Sequence, residues 1–181
     1  MVVVPRSRPG TPRGMKAGMG LSNAATGRIL RPGDGPALAE LFGSIDSTHF
    51  HPHPFTPQQA ERVARYQGRD VYAVLEVDGR FVAYGILRGW DEGFAVPSLG
   101  IGVRVDRKRR GHGRQMMAWL AEEARRRRAQ RIRLRVHPDN HGARRLYESL
   151  GYAYAGEDRG ELVMSLELAG TADGPEVTGP S

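Results

Sequence analysis

Gly111 and Gly113 stand two apart in the run DRKRRGHGR, where a charged turn gives way to the helix-patterned segment QMMAWLAEEARRRR. A glycine-containing loop that enters a helix directly leaves several backbone N–H groups without partners and pointing one way. The glycines let a ligand approach the backbone closely, and the helix N-terminus adds partial positive charge. Such a site suits a phosphate-type anion. Side chains add to the field, since Arg104, Arg107, Lys108, Arg109, Arg110 and Arg114 face the single acid Asp106 over this stretch. That much charge on one loop suggests a polyanionic partner. Neither standard phosphate fingerprint fits: there is no G-x-x-x-x-G-K-[ST], and no third glycine completes G-x-G-x-x-G. Taken alone, Gly-x-Gly at a helix start is more often an ordinary turn.

The surroundings of the loop carry more information. An apolar run, PSLGIGVRV, precedes it, and the helix is followed by RIRLRV and then HPDNHGARRLYESLGY. The order is strand, basic loop, helix, strand, short helix. VRVDRKRRGHGR followed by NHGARRLYESLGY resembles the GNAT superfamily of acetyl-CoA-dependent N-acetyltransferases. The resemblance covers roughly residues 26–168 and is densest over 99–152. The family's loop usually reads Q/R-x-x-G-x-G/A, and here Lys108 takes the first position and keeps the positive charge.

The resemblance implies an α/β fold with a mixed, largely antiparallel central sheet of about six to seven strands, flanked by four helices, with splayed central strands. It implies acetyl-CoA as acetyl donor and no metal. Residue by residue, Arg110, Gly111, His112, Gly113 and Arg114 would hold the pyrophosphate, and Val103 and Val105 would pair with the pantetheine amides. Asn140 would hydrogen-bond the pantetheine or hold its loop. Tyr147 would direct its hydroxyl at the cofactor sulfur and protonate the leaving thiolate. A backbone N–H where strand 100–105 splays from strand 132–136 would stabilise the oxyanion, with Gly102 at a bulge. Where some members place a glutamate base, this chain has Pro97. Ser98, Asp91, Glu92 or one of His49, His51 and His53 is left to relay a proton, unless the amine arrives neutral and no dedicated base exists.

The remaining elements must position these residues. GRILRP predicts a strand, and Asp34 opens a helix containing Leu38, Leu41, Phe42 and Ile45. DSTHFHPHPF follows, with His49, His51 and His53 at alternate positions of a proline-stiffened segment. A metal site is the less favoured reading, because only Asp46 lies nearby as a further ligand. In the resembling family this region lines the acceptor pocket, which makes His49, His51, His53 and Phe55 candidate substrate contacts. Thr56-Pro57 starts a helix that should reach about Gln67. VYAVLEV and RFVAYGIL flank Asp78-Gly79, a strong hairpin signal. GWDEGF is a loop whose Asp91 and Glu92 read either as a solvated turn or as contacts for a cationic substrate.

The central helix buries Met116, Met117, Leu120, Ala121 and Ala124 and carries Glu122–Arg126 and Glu123–Arg127 pairs on its outer side. RIRLRV alternates arginine outside with Ile132, Leu134 and Val136 inside. Asp139 or Asn140 caps the last helix, whose apolar stripe is Ala143, Leu146, Tyr147 and Leu150. ELVMSLEL reads as an edge or C-terminal strand.

At 181 residues the chain is long enough for one domain with a sizeable core. Its 39% hydrophobic content, without a long apolar run, indicates a soluble globular protein. The absence of cysteine excludes disulfides and thiolate chemistry and is compatible with a reducing cytoplasm, the expected location. Four of the seven net positive charges lie in residues 1–22, a Gly/Pro/Arg-rich leader expected to be disordered, as is the tail 169–181. MVVVP is too short for the apolar core of a signal peptide, and Met15 or Met19 is an alternative start. The acetyltransferase domain is expected over residues 23–168, as a monomer or a homodimer.

Three functions follow. The favoured one is acetylation of a small-molecule primary amine, such as an amino sugar, an amino-sugar nucleotide or an antibiotic-like amine. The second is acetylation of a protein N-terminus or lysine. The third, a basic nucleic-acid-binding module, is the most remote, since the arginine run Arg125–Arg128 lacks interleaved aromatics and suits the helix dipole.

Overall fold

The hairpin promised by Asp78-Gly79 is the seed of the sheet. Both residues take positive φ, 50° and 75°, the geometry of a tight turn that matches strand twist. In this computed structural model, which describes residues 25–50 and 52–168, the hairpin joins β2 (Val71–Val77) to β3 (Arg80–Arg88). On one side β2 pairs with β1 (Thr26–Ile29), and on the other β3 pairs with β4 (Ser98–Val103). Beyond β4 come β5 (Arg131–Val136), β7 (Glu161–Glu167) and β6 (Ala153–Asp158), giving the order β1-β2-β3-β4-β5-β7-β6. Every neighbouring pair is antiparallel except β4–β5, which is parallel and joined at the single position Ser98–Arg133. The helices are α1 (Gly35–Phe42), α2 (Pro57–Ala64), α3 (His112–Arg126) and α4 (His141–Ser149). Among the described residues this is the mixed, splayed sheet with four helices that the sequence led us to expect, and no helix is long and apolar enough to cross a membrane.

Strand alternation sorts the side chains into two cores. Ile132, Leu134 and Val136 of β5 join Leu99 of β4 and Met116, Met117 and Leu120 of α3 on one face. Val74, Phe81, Tyr84 and Ile86 meet Leu38, Leu41, Phe42 and Val63 of α1 and α2 on the other. Contact between α3 and the sheet is close because Gly85 carries no side chain: a Cβ there would lie 2.7 Å from Met116 Sδ and 2.9 Å from Leu120 Cδ1. Leu120 itself is fully buried. Leu120→Ala is expected to cost about 3 kcal/mol and lower Tm by about 10 °C, read by calorimetry or circular dichroism.

Several expectations need correction. The strand after Pro97 ends at Val103, and Val105 belongs to a 3-10 turn (Val105–Arg107) with its N–H donated to the Ser44 carbonyl at 2.9 Å. Gly102 forms no bulge, because the β3–β4 register is unbroken from Ala83–Val103 to Arg88–Ser98. The second helix stops at Ala64 rather than near Gln67. Glu123 is buried rather than outward, 2.9 Å from Arg127. ELVMSLEL is the last strand in the described chain, as one of its two readings had it, but not an edge, since β7 lies between β5 and β6. The proposed leader 1–22, the tail 169–181 and His51 lie outside the described residues.

Candidate active site

The loop before α3 has the geometry its sequence suggested. Arg109 takes φ 62° and Gly111, the N-cap, φ 83°, so the chain turns sharply and enters the helix with no capping side chain. The first backbone bond of the helix runs from the Gln115 N–H to the Gly111 carbonyl at 3.0 Å. Among the described residues, the N–H groups of Arg109 through Arg114 have no hydrogen-bond acceptor. Six donors in a row at a helix N-terminus form an anion cradle. The cradle is tight at Gly113, where a Cβ would lie 3.3 Å from Leu146 Cδ2. Around it, Lys108 pairs with Asp46 at 3.2 Å, and hydrogen bonds from Thr48, then the lysine, hold that carboxyl well below its ordinary range. Arg114 donates to the Ser149 hydroxyl at 2.7 Å and so ties the loop to the end of α4.

From the cradle a cleft of about 530 Å³ runs between β4 and α4, bounded by Ile101, Val103, Gly113, Ala143, Leu146 and Tyr147. It exists because the two central strands part. The Arg133 N–H reaches the Pro97 carbonyl at 3.0 Å, but beyond Ser98 the strands no longer pair. The Arg104 N–H bonds to the Val82 carbonyl at 3.0 Å, which fixes the phase of the β3–β4 ladder. By alternation Gly100 and Gly102 bond towards β3, while Ile101 and Val103 turn their N–H and C=O groups into the gap. An extended, amide-bearing ligand could therefore pair with β4 as an added strand.

Tyr147 stands at the inner end of this cleft, 9% exposed, with its ring centroid 6.0 Å from that of Tyr152. Its hydroxyl has no hydrogen-bond partner among the described residues. Burial pushes the phenol up to about 12, so it stays protonated at any working pH. Asn140 caps α4, its Oδ1 accepting from the Ala143 N–H at 3.2 Å, and the residue borders the cleft.

A second, larger cavity of about 970 Å³ opens on the sheet face that carries α1 and α2, beyond the reach of those helices. Its floor is Ile86 and Arg88 of β3, Ser98 and Gly100 of β4, and Arg133 and Arg135 of β5. The two cavities share His49, Phe50, Leu99, Gly100 and Arg135. Phe50 lies flat over the strand because Gly100 and Gly102 offer no side chains; a Cβ at either would come to 2.7 and 2.8 Å from its ring. An anion cradle, a channel with free strand edges and a second cavity meeting it edge-on make a two-substrate site.

The sequence model described as the Acetyltransferase (GNAT) family matches residues 37–152. The chain belongs to that family. It is an acetyl-CoA-dependent N-acetyltransferase. No curated protein sequence matches it. Among solved structures it is similar to the ribosomal-protein-S18-alanine N-acetyltransferase from Escherichia coli, with TM-score 0.64 and 22% identity over 84% of this chain and 99% of that one. PaiA N-acetyltransferase from Thermoplasma acidophilum, in complex with coenzyme A, gives TM-score 0.67 and 12% identity over 80% and 99%. The yncA protein from Salmonella typhimurium, with its cofactor acetyl-CoA, gives 0.65 and 22% over 83% and 98%. At these identities the likeness is one of fold.

Within the acetyltransferase, the expected acceptor contacts separate into two groups. His49 and Glu92 border the larger cavity. His53 does not: Tyr84 donates its hydroxyl to His53 Nε2 at 2.9 Å, and His53 Nδ1–H donates to the Pro54 carbonyl at 3.1 Å. Burial, with the nearby positive charge of Arg88, holds that imidazole below its ordinary pKa and keeps it neutral. Phe55 stacks on Phe42 with centroids 4.6 Å apart and packs, partly buried, against the core under α1. Asp91 is consumed by structure, accepting from the Tyr66 hydroxyl and from the Arg69 N–H at 2.8 Å.

The residues that sequence reasoning missed are Phe50, Arg88, Arg133 and Arg135, together with the β6–β7 hairpin that walls the cavity. The alternation in RIRLRV did mark its arginines as one face. The sequence held no sign that this face is the floor of a cavity, because that depends on how far α1 and α2 reach.

Proposed function

We propose that this acetyltransferase acetylates the primary amine of a small molecule held in the cavity over β3, β4 and β5, and that residues 23–168 form the catalytic unit. The observation that supports the reading is the meeting of two cavities at His49, Phe50, Leu99 and Gly100. The acceptor cavity, at about 970 Å³, lies within the range that accommodates small ligands.

Acetyl-CoA supplies an activated thioester when bound. The free N–H groups from Arg109 to Arg114 bind the pyrophosphate, strengthened by the helix dipole and by arginine charge. Gly111 allows the left-handed turn, and Gly113 lets the chain approach closely. Ile101 and Val103, rather than Val103 and Val105, present amide groups to the pantetheine arm, because the Val105 N–H is already taken by Ser44. The Ile101 N–H, facing the gap three residues past the last paired position, stabilises the developing oxyanion. Tyr147 gives its phenolic proton to the departing sulfur.

The acceptor must lose a proton before it can attack, since an ammonium nitrogen has no lone pair. His49 takes it. That ring lines both cavities and stacks on His137 at a centroid distance of 5.2 Å and an angle of 26°. His137 is itself steadied where its Nδ1 accepts from the Asp139 N–H at 3.3 Å. His49→Gln is expected to lower kcat/KM about tenfold at pH 7, with the deficit shrinking towards pH 9 as the amine deprotonates unaided. A loss independent of pH would remove His49 from the proton path.

The test of the function combines calorimetric titration of acetyl-CoA, with CoA and ATP as comparisons, and a thiol-release screen over small amines, protein N-terminal peptides and lysine peptides. Micromolar acetyl-CoA binding with turnover of small amines supports the reading. Turnover of peptides alone would replace it with protein acetylation.

A further inference from the structure

The larger cavity is lined by eight formal charges, four of each sign, and four of the eight pair within one cluster. Arg135 meets Asp158 at 3.2 Å and Glu161 at 3.6 Å, and Arg159 meets Asp158 at 4.0 Å. Two arginines stand apart from this pairing. The Arg133 side chain has no ion pair and no hydrogen bond among the described residues; its guanidinium only lies over the Phe94 ring, 6.0 Å from the centroid. Arg88 donates from Nη1 to the Pro52 carbonyl at 3.3 Å, but meets carboxylates only at the outer limit, Asp70 at 4.0 Å and Glu92 at 3.9 Å. Its Nε is buried without a hydrogen-bond partner and faces the Asp70 carboxylate at that 4.0 Å. A buried donor left unmade is costly, and a guanidinium is the group best matched to a planar or tetrahedral anion.

The sheet register places these two arginines together. Arg88 of β3 pairs with Ser98 of β4, and Ser98 pairs with Arg133 of β5. Residues opposite one another across strands project from the same face, about 4.8 Å apart per strand, so the two arginine stems rise about 10 Å from each other with the Ser98 hydroxyl between them. All three line the cavity. The position is also fixed more firmly than its neighbours, because Ser98–Arg133 is the one place where β4 and β5 are still joined.

We infer that Arg88, Ser98 and Arg133 form an anion subsite, and that the acceptor is a primary amine carrying a carboxylate or phosphate. The inference rests on the small-molecule reading above and narrows it. Geometry limits the skeleton between the two groups. From Ser98 to Ile101, the strand advances about 10 Å at roughly 3.3 Å per residue. That span fits a long ω-amino acid or an amino-sugar phosphate and is too long for an α-amino acid, whose amine and carboxylate lie only about 2.5 Å apart. Glu92 and Asp70 leave Arg88 partly engaged, so Arg133 carries more of the selectivity.

The experiment compares kcat/KM for matched pairs in the full-length protein: long ω-amino acids against their amides, and amino-sugar phosphates against the unphosphorylated amino sugars. At least one anionic member is expected to exceed its uncharged partner by tenfold or more, and the pair that shows it tells carboxylate from phosphate. Arg133→Gln should reduce that preference at least tenfold, and Arg133→Glu should reverse it. Arg131→Gln is the control, since Arg131 shares the strand but pairs with Glu167 and lies outside the cavity. Equal or better turnover of the uncharged partners, or a preference that survives Arg133→Glu, would overturn the inference and leave the acetylation of small amines standing. If acetyl-CoA binds and no small amine in either series is acetylated, both readings fall.

Discussion

Tyr147→Phe is expected to lower kcat by about 100-fold while leaving the acetyl-CoA dissociation constant within about twofold, in steady-state kinetics paired with calorimetry. The Tyr147 ring is largely buried, and its hydroxyl faces the cleft and bonds to nothing among the described residues. A hydroxyl so placed contributes little to stability, so the variant should melt with the parent protein. What is lost is a proton donor for the departing sulfur, and a factor of 100 corresponds to about 2.7 kcal/mol of barrier. Burial raises the phenol to about 12, so the reactive, protonated form is fully present at neutral pH and disappears only as pH rises through that value. The alkaline limb of the wild-type profile should therefore show no decline from this group below about pH 11. An unchanged kcat in the phenylalanine variant would reduce Tyr147 to a packing residue of α4.

Gly111→Glu combined with Gly113→Glu is expected to weaken acetyl-CoA binding at least a hundredfold, abolishing the calorimetric signal. Two physical effects act together. At Gly111 the backbone φ of 83° is one that side-chain-bearing residues adopt at a cost of about 1–2 kcal/mol. At Gly113 a Cβ would already press on Leu146 at 3.3 Å, so a longer side chain is driven towards the free N–H groups, where its carboxylate competes with the phosphates. A melting temperature within a few degrees of wild type would show the damage to be local. Undiminished binding would mean that the cradle is not where the cofactor sits.

Much of this site could be read from the chain because loop and helix ends are governed by local rules. The glycine loop entering α3, Asn140 as one of two cap candidates, Thr56 as a cap and the Asp78-Gly79 turn each depend on a few neighbouring residues, and each lies where the sequence put it. Val105 was misplaced because the apolar pattern of PSLGIGVRV continues past the last ladder bond, and the chain turns away when Ser44 offers a carbonyl from a distant segment. The same limit applies to the acceptor side. His53 and Phe55 have the composition of a pocket, but Tyr84 and Phe42, far along the chain or on another element, draw them into the core. Arg88, Ser98 and Arg133 form a row only through strand register, which a linear reading does not supply.

The single joint between β4 and β5 has a consequence for the whole molecule. Strands β1–β4 and β5–β7 are two plates that meet at one seam, and the amides of Ile101 and Val103 along it wait for a partner. A ligand lying in the seam acts as a missing strand, so occupancy and fold stability are thermodynamically linked. At a concentration one hundred times its dissociation constant, such a ligand adds about 2.7 kcal/mol to the stability of the native state. The lifetime of this protein against unfolding and proteolysis would then rise and fall with the supply of its acetyl donor, a form of feedback that needs no regulatory site.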